Sequence, residues 1–360
     1  MTEIDISKQM TFQAIDIARF LFSLLIVAFH FPPFSGGEQL SALLNFFLLH
    51  YLERLAVPFF FVCSGFFLYN GINWTYRNEK KEKAYLVRII RLYLVWTVIY
   101  LPYSIYTFRY DDAGFVHALT IYLRDFIFTG SVFHLWYLNA LAFAVFLLMI
   151  SRRRRFNAKS ILIIAGLLYM AGLTAQSWFG AIKPLEGAAP IIWAGLKKIG
   201  NLIVTTRNGL FEGFFYVAAG MYIAVNGPKR NKRLVAFGFA LSMGGLLAEI
   251  LILRKLGWIR ATDIYLFQAP AAVFLFILLR DMSNQEGKDK RKLRKISGLI
   301  YYVHPLAGFL TEIVVESIDS KLSLISPLIF VLVLTLSLLF SVMVLKVSEI
   351  KQFSLLKKIY

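Results

Sequence analysis

The sequence predicts an all-α, polytopic membrane bundle of about ten transmembrane helices with both termini in the cytoplasm. Three observations carry that expectation. The 360 residues are 58% hydrophobic and only 17% charged, against about 25% charged in soluble domains. The apolar residues gather in runs of about twenty, the length that crosses a bilayer as a helix. The segments between those runs are alternately rich and poor in Lys and Arg, as the positive-inside rule requires of a multi-pass chain.

Taken in order, the expected spans are 12–31, 52–70, 85–106, 133–151, 160–177, 209–226, 234–253, 262–280, 296–316 and 324–347. The second is followed by Arg77, Lys80, Lys81 and Lys83, and the fourth by Arg152 to Arg155 and Lys159. The sixth is followed by Lys229, Arg230, Lys232 and Arg233, and the eighth by Lys288, Lys290, Arg291, Lys292, Arg294 and Lys295. Lys351, Lys357 and Lys358 end the chain on the same side. The opposite loops are poorer: 32–51 holds no Lys or Arg, and 107–132 sets Arg109 and Arg124 against Asp111, Asp112 and Asp125. Two external segments, 107–132 and 178–208, are long enough to cap an outer cavity, and loops of that length are usually functional. The first contains the amphipathic HALTIYLRDFIF, suited to an interface, and the second carries Trp178 and Trp193.

The whole chain, 1–360, therefore reads as one transmembrane domain without a sizeable soluble module. The net charge of +18 is accounted for by topology and by attraction to anionic membrane lipid. No basic surface interleaved with aromatics points to nucleic acid. The single cysteine, Cys63, cannot form an internal disulfide. Residues 1–11 are polar and mildly acidic, so the first span is expected to stay in place as an uncleaved anchor. The absence of an internal repeat counts against inverted-repeat transporter folds.

The first span, FQAIDIARFLFSLLIVAFHF, carries Asp16, Arg19 and His30. At about 100° per residue, Arg19 and His30 are separated by roughly three turns plus 20°, and Asp16 precedes Arg19 by about one turn. The three share a stripe with Ser23 beside them. Ionisable groups inside a bilayer are costly and face a bundle interior or a wet cavity. His30, near the outer end before Pro32 and Pro33, suits a general base acting on an alcohol. Arg19 suits an anionic ligand group, with Asp16 restraining it; a self-neutralising Asp–Arg pair that fixes packing is the alternative.

Further along, Ser64-Gly65 in VPFFFVCSGFFLYN allows a helix or a ligand chain to approach closely. No base flanks Ser64, which argues against a nucleophile there. Arg88 and Arg91 open the third span three residues apart, on one face at the cytoplasmic mouth. Paired guanidiniums suit phosphates, with snorkelling arginines as the rival explanation. His134 and Trp136 begin the fourth span and Glu212, after Arg207, the sixth, all on the outer side. His304 falls in the middle of the ninth, its role open. The five histidines are scattered and Cys63 stands alone, so no metal-ligand spacing is present. Neither a Gly-rich phosphate loop nor a G-x-S-x-G elbow occurs.

In combination these motifs resemble the acyltransferase 3 family of integral membrane O-acyltransferases. Arg19 and His30 look like its Arg-x10-His signature, PFFFVCSGFFLYN like its FF-x-x-SGF block, and Arg88-x-x-Arg91 like its arginine pair. HLWYL, the region of Gly220 and YYVHP resemble later landmarks. RNGLFEGFFYVAAG also resembles the membrane half of serine racemases linked to vancomycin resistance. The resemblance implies transfer of an acyl group from cytoplasmic acyl-CoA, with acetyl-CoA the expected donor and no bound cofactor. The implied acceptor is a hydroxyl of an extracytoplasmic cell-envelope glycan or lipid-linked glycan. Carried over, His30 is the candidate base, assisted by Arg19 and Asp16. Arg88 and Arg91, with Ser64, are the donor-side candidates, and His134, Trp136 and Glu212 those for the acceptor side. A transporter or flippase of a small polar solute is the alternative from another class.

Overall fold

The computed structural model describes residues 12–34, 39–71, 79–108, 114–227, 231–282, 290–319 and 325–360. Arg77, Arg109, Asp111, Asp112, Lys229, Arg230 and Lys288, part of the charge pattern above, lie outside them, as do residues 1–11. The helices begin with α1 (Gln13–His30), α2 (Gln39–Asn45), α3 (Ala56–Tyr69) and α4 (Glu79–Phe108). Next come α5 (Phe115–Phe128), α6 (Trp136–Arg153), α7 (Ala158–Leu173), α8 (Phe179–Ile182), α9 (Leu185–Ala188) and α10 (Pro190–Ile203). The chain continues with α11 (Phe214–Asn226), α12 (Lys232–Lys255), α13 (Gln268–Met282), α14 (Arg291–Ile318) and α15 (Ser326–Glu349). Among the described residues two π-helical segments interrupt this order, Phe46–Leu52 before α3 and Gly209–Gly213 before α11.

All regular structure among the described residues is helical, and each of the ten expected spans contains a helix. Among the described residues, seven helices are long and apolar enough to cross a membrane: α1, the run Gln39–Tyr69, α4, the run Gly209–Asn226, α12, α14 and α15. The chain is therefore a multi-pass helical membrane protein. α7 is a shorter apolar helix, and α6 and α13 have 18 and 15 residues. A count of ten crossings and cytoplasmic termini rest on the charge pattern.

Two segments expected as loops are helical. Residues 39–52 form α2 and a π segment, because the apolar FFLLHYL continues the helical repeat with one residue accommodated as a π bulge. Residues 179–203 form α8, α9 and α10. α10 starts at Pro190, whose fixed φ suits a first turn. It leaves Ile191, Ile192 and Ile199 exposed, a face suited to lie in a membrane interface.

The chain packs as two compact units. The first comprises Met1–Ala56, Lys232–Ala236 and Phe274–Tyr360. In it α1 lies along α14, and α15 returns beside α14. Val27, Ile300, Ala307, Val315, Ile329 and Val333 form the buried core between these three helices. α1 and α14 run parallel: Asp16 and Arg294 meet near their starts, His30 and His304 further along. Gly308 permits the close approach, since a Cβ there would overlap the Phe31 ring.

The second unit comprises Val57–Asn231 and Phe237–Val273. α4 and α6 are antiparallel. At one end Arg152 of α6 pairs with Glu82 of α4, and the Tyr69 hydroxyl donates to the same carboxylate at 2.7 Å. At the other end the rings of Tyr100 and His134 are 4.8 Å apart. Arg152 and Glu82 are both buried, so the Arg152–Arg155 run is not a uniformly solvated positive-inside cluster. Its first member neutralises a carboxylate that burial would otherwise leave costly. α3 and α11 cross at backbone contact. A Cβ on Gly65 would overlap the Val217 carbonyl oxygen, and one on Gly220 the Val62 carbonyl oxygen. A second buried carboxylate, Glu249 of α12, accepts from the Trp178 indole at 2.7 Å and the Leu266 and Phe267 amides at 2.8 and 2.9 Å. It thereby satisfies amide donors at the start of α13.

Candidate functional site

The polar stripe of α1 is helical throughout, so the expected alignment of Asp16, Arg19, Ser23 and His30 holds as helix geometry. Asp16 is buried, and its Oδ1 lies 3.9 Å from Arg294 Nε of α14. Arg19 and His30 are half-buried. Ser23 is fully buried and donates to the Phe20 carbonyl at 2.6 Å, the usual outlet for a serine inside a helix.

His30 meets His304. The two imidazoles stack with centroids 5.2 Å apart and planes inclined by 28°. The orientation of His304 follows from its neighbour. Pro305 has no N–H, so the Tyr301 carbonyl four residues back loses its helical partner. His304 Nδ1 lies 2.9 Å from the Tyr301 oxygen and 3.1 Å from the Ile300 oxygen. A carbonyl only accepts, so Nδ1 carries the proton and the neutral ring keeps its lone pair on Nε2. His304 is fully buried. The His-Pro dipeptide thus repairs the proline's defect in α14 and fixes both the tautomer and the plane of the ring that stacks on His30. On the same unit, Arg54 is buried with its guanidinium 5.6 Å from the Phe29 ring, and that ring lies edge-on to His30 at 5.2 Å. Glu53 Oε2 is 3.9 Å from Arg54 Nε. Arg54, Glu53 and the Arg294 partner of Asp16 were not among the sequence-derived candidates. Two charges opening an apolar run at 53–54 were the available signal for the first pair.

The other candidates belong to the second unit. Ser64 donates to the Phe60 carbonyl at 2.9 Å and lies 3.2 Å from the Tyr137 hydroxyl of α6. Arg88 and Arg91 are both exposed on α4, on the same face as expected from their spacing. They lie six and nine residues beyond Glu82, near the basic end of the helix. His134 is buried beside Tyr100. Trp136 lies under the Arg207 guanidinium at 4.8 Å, and Arg207 Nη1 is 3.3 Å from Asp263 Oδ1. Glu212 is buried in the π segment before α11, whose start is capped by the Asn208 side chain.

A multi-pass helical membrane protein with stacked histidines and charged groups on a membrane helix is the class these features define. Residues 12–346 match the family described as an acyltransferase domain, acyltransferase 3, and the chain belongs to that family. It is also similar to an amino-acid racemase of Enterococcus faecalis, 25% identical over 93% of this chain and 46% of that protein. A serine/alanine racemase of Enterococcus gallinarum is 27% identical over 90% of this chain and 45% of its own length. A further amino-acid racemase of Enterococcus faecalis is 29% identical over 81% and 38%. The chain spans less than half the length of these relatives. No solved structure gives a significant match.

Proposed function

We propose that the protein is an O-acyltransferase of the cell membrane that uses cytoplasmic acyl-CoA, acetyl-CoA first among them, to acylate a hydroxyl of an extracytoplasmic envelope carbohydrate or lipid-linked glycan. The observation that carries this reading is the His30–His304 stack at 5.2 Å on a membrane helix. In the proposed reaction His30 removes the proton of the acceptor hydroxyl as its oxygen attacks the thioester carbonyl. The C–S bond breaks, an ester forms, and the CoA thiolate leaves and is reprotonated from the imidazolium. His304 acts as a positioning residue that holds the His30 ring in plane. Arg19 stabilises negative charge on the way, with Asp16 held by Arg294. Arg88 and Arg91, exposed near the basic end of α4, suit the phosphates of CoA by guanidinium geometry. The family membership supports the acyl-transfer class.

The test is mass spectrometry of envelope glycans from cells with and without the gene. An acyl-sized mass difference that returns on complementation is expected; identical masses count against the reading. A second reading is movement of a small polar solute such as an amino acid, favoured by relatives named for amino-acid racemisation. Uptake by proteoliposomes lacking any acyl donor distinguishes it.

A further inference from the structure

α10 is barely covered by protein. Among its described side chains only Trp193 and Ile203 are half-buried, and the others are exposed. We infer that α10 is a docking surface for anionic phospholipid, lying along the bilayer interface with its isoleucines among the acyl chains and its lysines at the headgroups. At about 100° per residue, Ile191, Ile199, Ile192 and Leu196 share an arc of about 140°. Lys198 stands beside Ile191 at one edge of that arc, Trp193 lies beyond Leu196 at the other, and Lys197 occupies the opposite face. An apolar face edged by a lysine and an indole suits acyl chains beneath it and headgroups at its margins. Between Phe179 and Ile203 the exposed Lys183, Lys197 and Lys198 meet a single acid, Glu186, a net charge of +2. A basic surface of this kind selects anionic over zwitterionic headgroups. The same lysines disfavour a second copy of the chain as the occupant, because a two-fold contact through this face brings like charges together.

The fold holds α10 at the level of the bilayer surface. The Thr206 hydroxyl donates to the Gly172 carbonyl at 3.0 Å, which ties the exit of α10 to the end of the apolar α7. Ile203 is three residues from Thr206, a reach of at most about 11 Å. The membrane run Gly209–Asn226 begins three residues further on. Toward the other end Trp193 packs on Phe179 at 5.9 Å, Phe179 lies under the Arg260 guanidinium at 5.1 Å, and Trp178 meets Trp258 edge-on at 6.0 Å. Three of the six tryptophans thus stand at this level, as in the aromatic belts that mark a membrane–water boundary. The joint after α10 is a sharp one. Val204 has φ +66° and ψ −54°, and the Thr205 amide donates across it to the Ile203 carbonyl at 2.8 Å. That is the rare, strained hand of γ-turn, held here by a β-branched residue. Such strain persists only where the surroundings fix it. The protein leaves α10 exposed, and a bilayer under its apolar face supplies the hold.

The test attaches a fluorophore to Ile192→Cys, on the apolar arc, or to Ala194→Cys, on the polar face, in the full chain. Each variant is reconstituted in vesicles of equal parts phosphatidylglycerol and phosphatidylcholine, with bromine on the acyl chains of one lipid or the other. Bromine quenches only a fluorophore it touches, so the readout is local to α10 and blind to the basic segments elsewhere. Brominated lipid is expected to quench at 192 and hardly at 194. Quenching at 192 should also report a preference for phosphatidylglycerol of about tenfold, the scale of two lysines at the headgroups. Lys197→Gln with Lys198→Gln should bring that preference close to unity while quenching at 192 persists. All four replaced side chains are exposed, so the substitutions leave the packing intact. A wet fluorophore at 192, equal quenching at 192 and 194, no preference between the two lipids, or a preference unchanged in the double glutamine variant would overturn the inference. Energy transfer between fluorophores at 192 on different copies, in place of quenching by lipid, would assign the face to a second copy of the chain and overturn it as well.

Discussion

At the scale of single residues, the central arrangement is a histidine made rigid by a proline. Pro305 removes an N–H, the Tyr301 carbonyl is left over, and His304 takes it with Nδ1 at 2.9 Å. Pro305→Ala should return an amide donor to that carbonyl and compete with the imidazole. Thermal stability is expected to hold or rise, while acyl transfer falls about tenfold because His30 loses its positioned neighbour. Unchanged activity in that variant would remove His304 from the account. The stripe of Asp16, Arg19 and His30 was legible in the sequence because one helical repeat fixes it. The meeting of His30 with His304 was not, because it depends on α1 and α14 lying parallel, and no local pattern encodes which helices pair. Arg294 was hidden for the same reason: in sequence it is one of a run of cytoplasmic cations, and only packing delivers it to Asp16.

At the scale of elements, close helix contact and buried charge decide stability. Gly65 and Gly220 sit where α3 and α11 touch through their backbones. Gly220→Ala should destabilise the protein by about 1–3 kcal/mol, the usual cost of overpacking. Gly166→Ala is the control. Its Cβ would meet only the Phe215 ring at 3.9 Å, and the better helix former is expected to stabilise α7 by up to about 1 kcal/mol. Denaturation in detergent measures both. Arg152→Met should cost about 3–5 kcal/mol by stranding the buried Glu82 carboxylate, and adding Glu82→Met should restore most of it. Recovery failing in the double variant would mean that Arg152 matters through its contact with the Tyr69 ring, 5.3 Å away, rather than through charge. The SGFF stretch announced a close contact in the sequence, since small residues inside an apolar helix have little other use. Its partner helix was not announced, and neither was the helical character of 39–52 and 179–203. Short amphipathic helices in connecting segments carry a weak period and are easily read as loops.

For the whole molecule, fold class was the most legible property, because hydrophobic run length and loop charge act along the entire chain and do not depend on which helices meet. The division into two packed units was not legible, since it joins segments from both ends of the sequence. The direction of the chain is open to a direct check. Cys63 is buried, so an impermeant maleimide applied to intact cells should leave the native chain unlabelled. Glu186→Cys should then react from outside and Arg155→Cys only after the membrane is opened; the reverse pattern would invert the topology. The central claim, that His30 is the base of a membrane acyl transfer, is tested most directly by following a labelled acetyl group from acetyl-CoA into the glycan fraction of membranes carrying wild type or His30→Ala. The account predicts transfer by the wild type and a loss of about 10²–10⁴-fold in the variant at unchanged thermal stability; undiminished transfer by His30→Ala would contradict it.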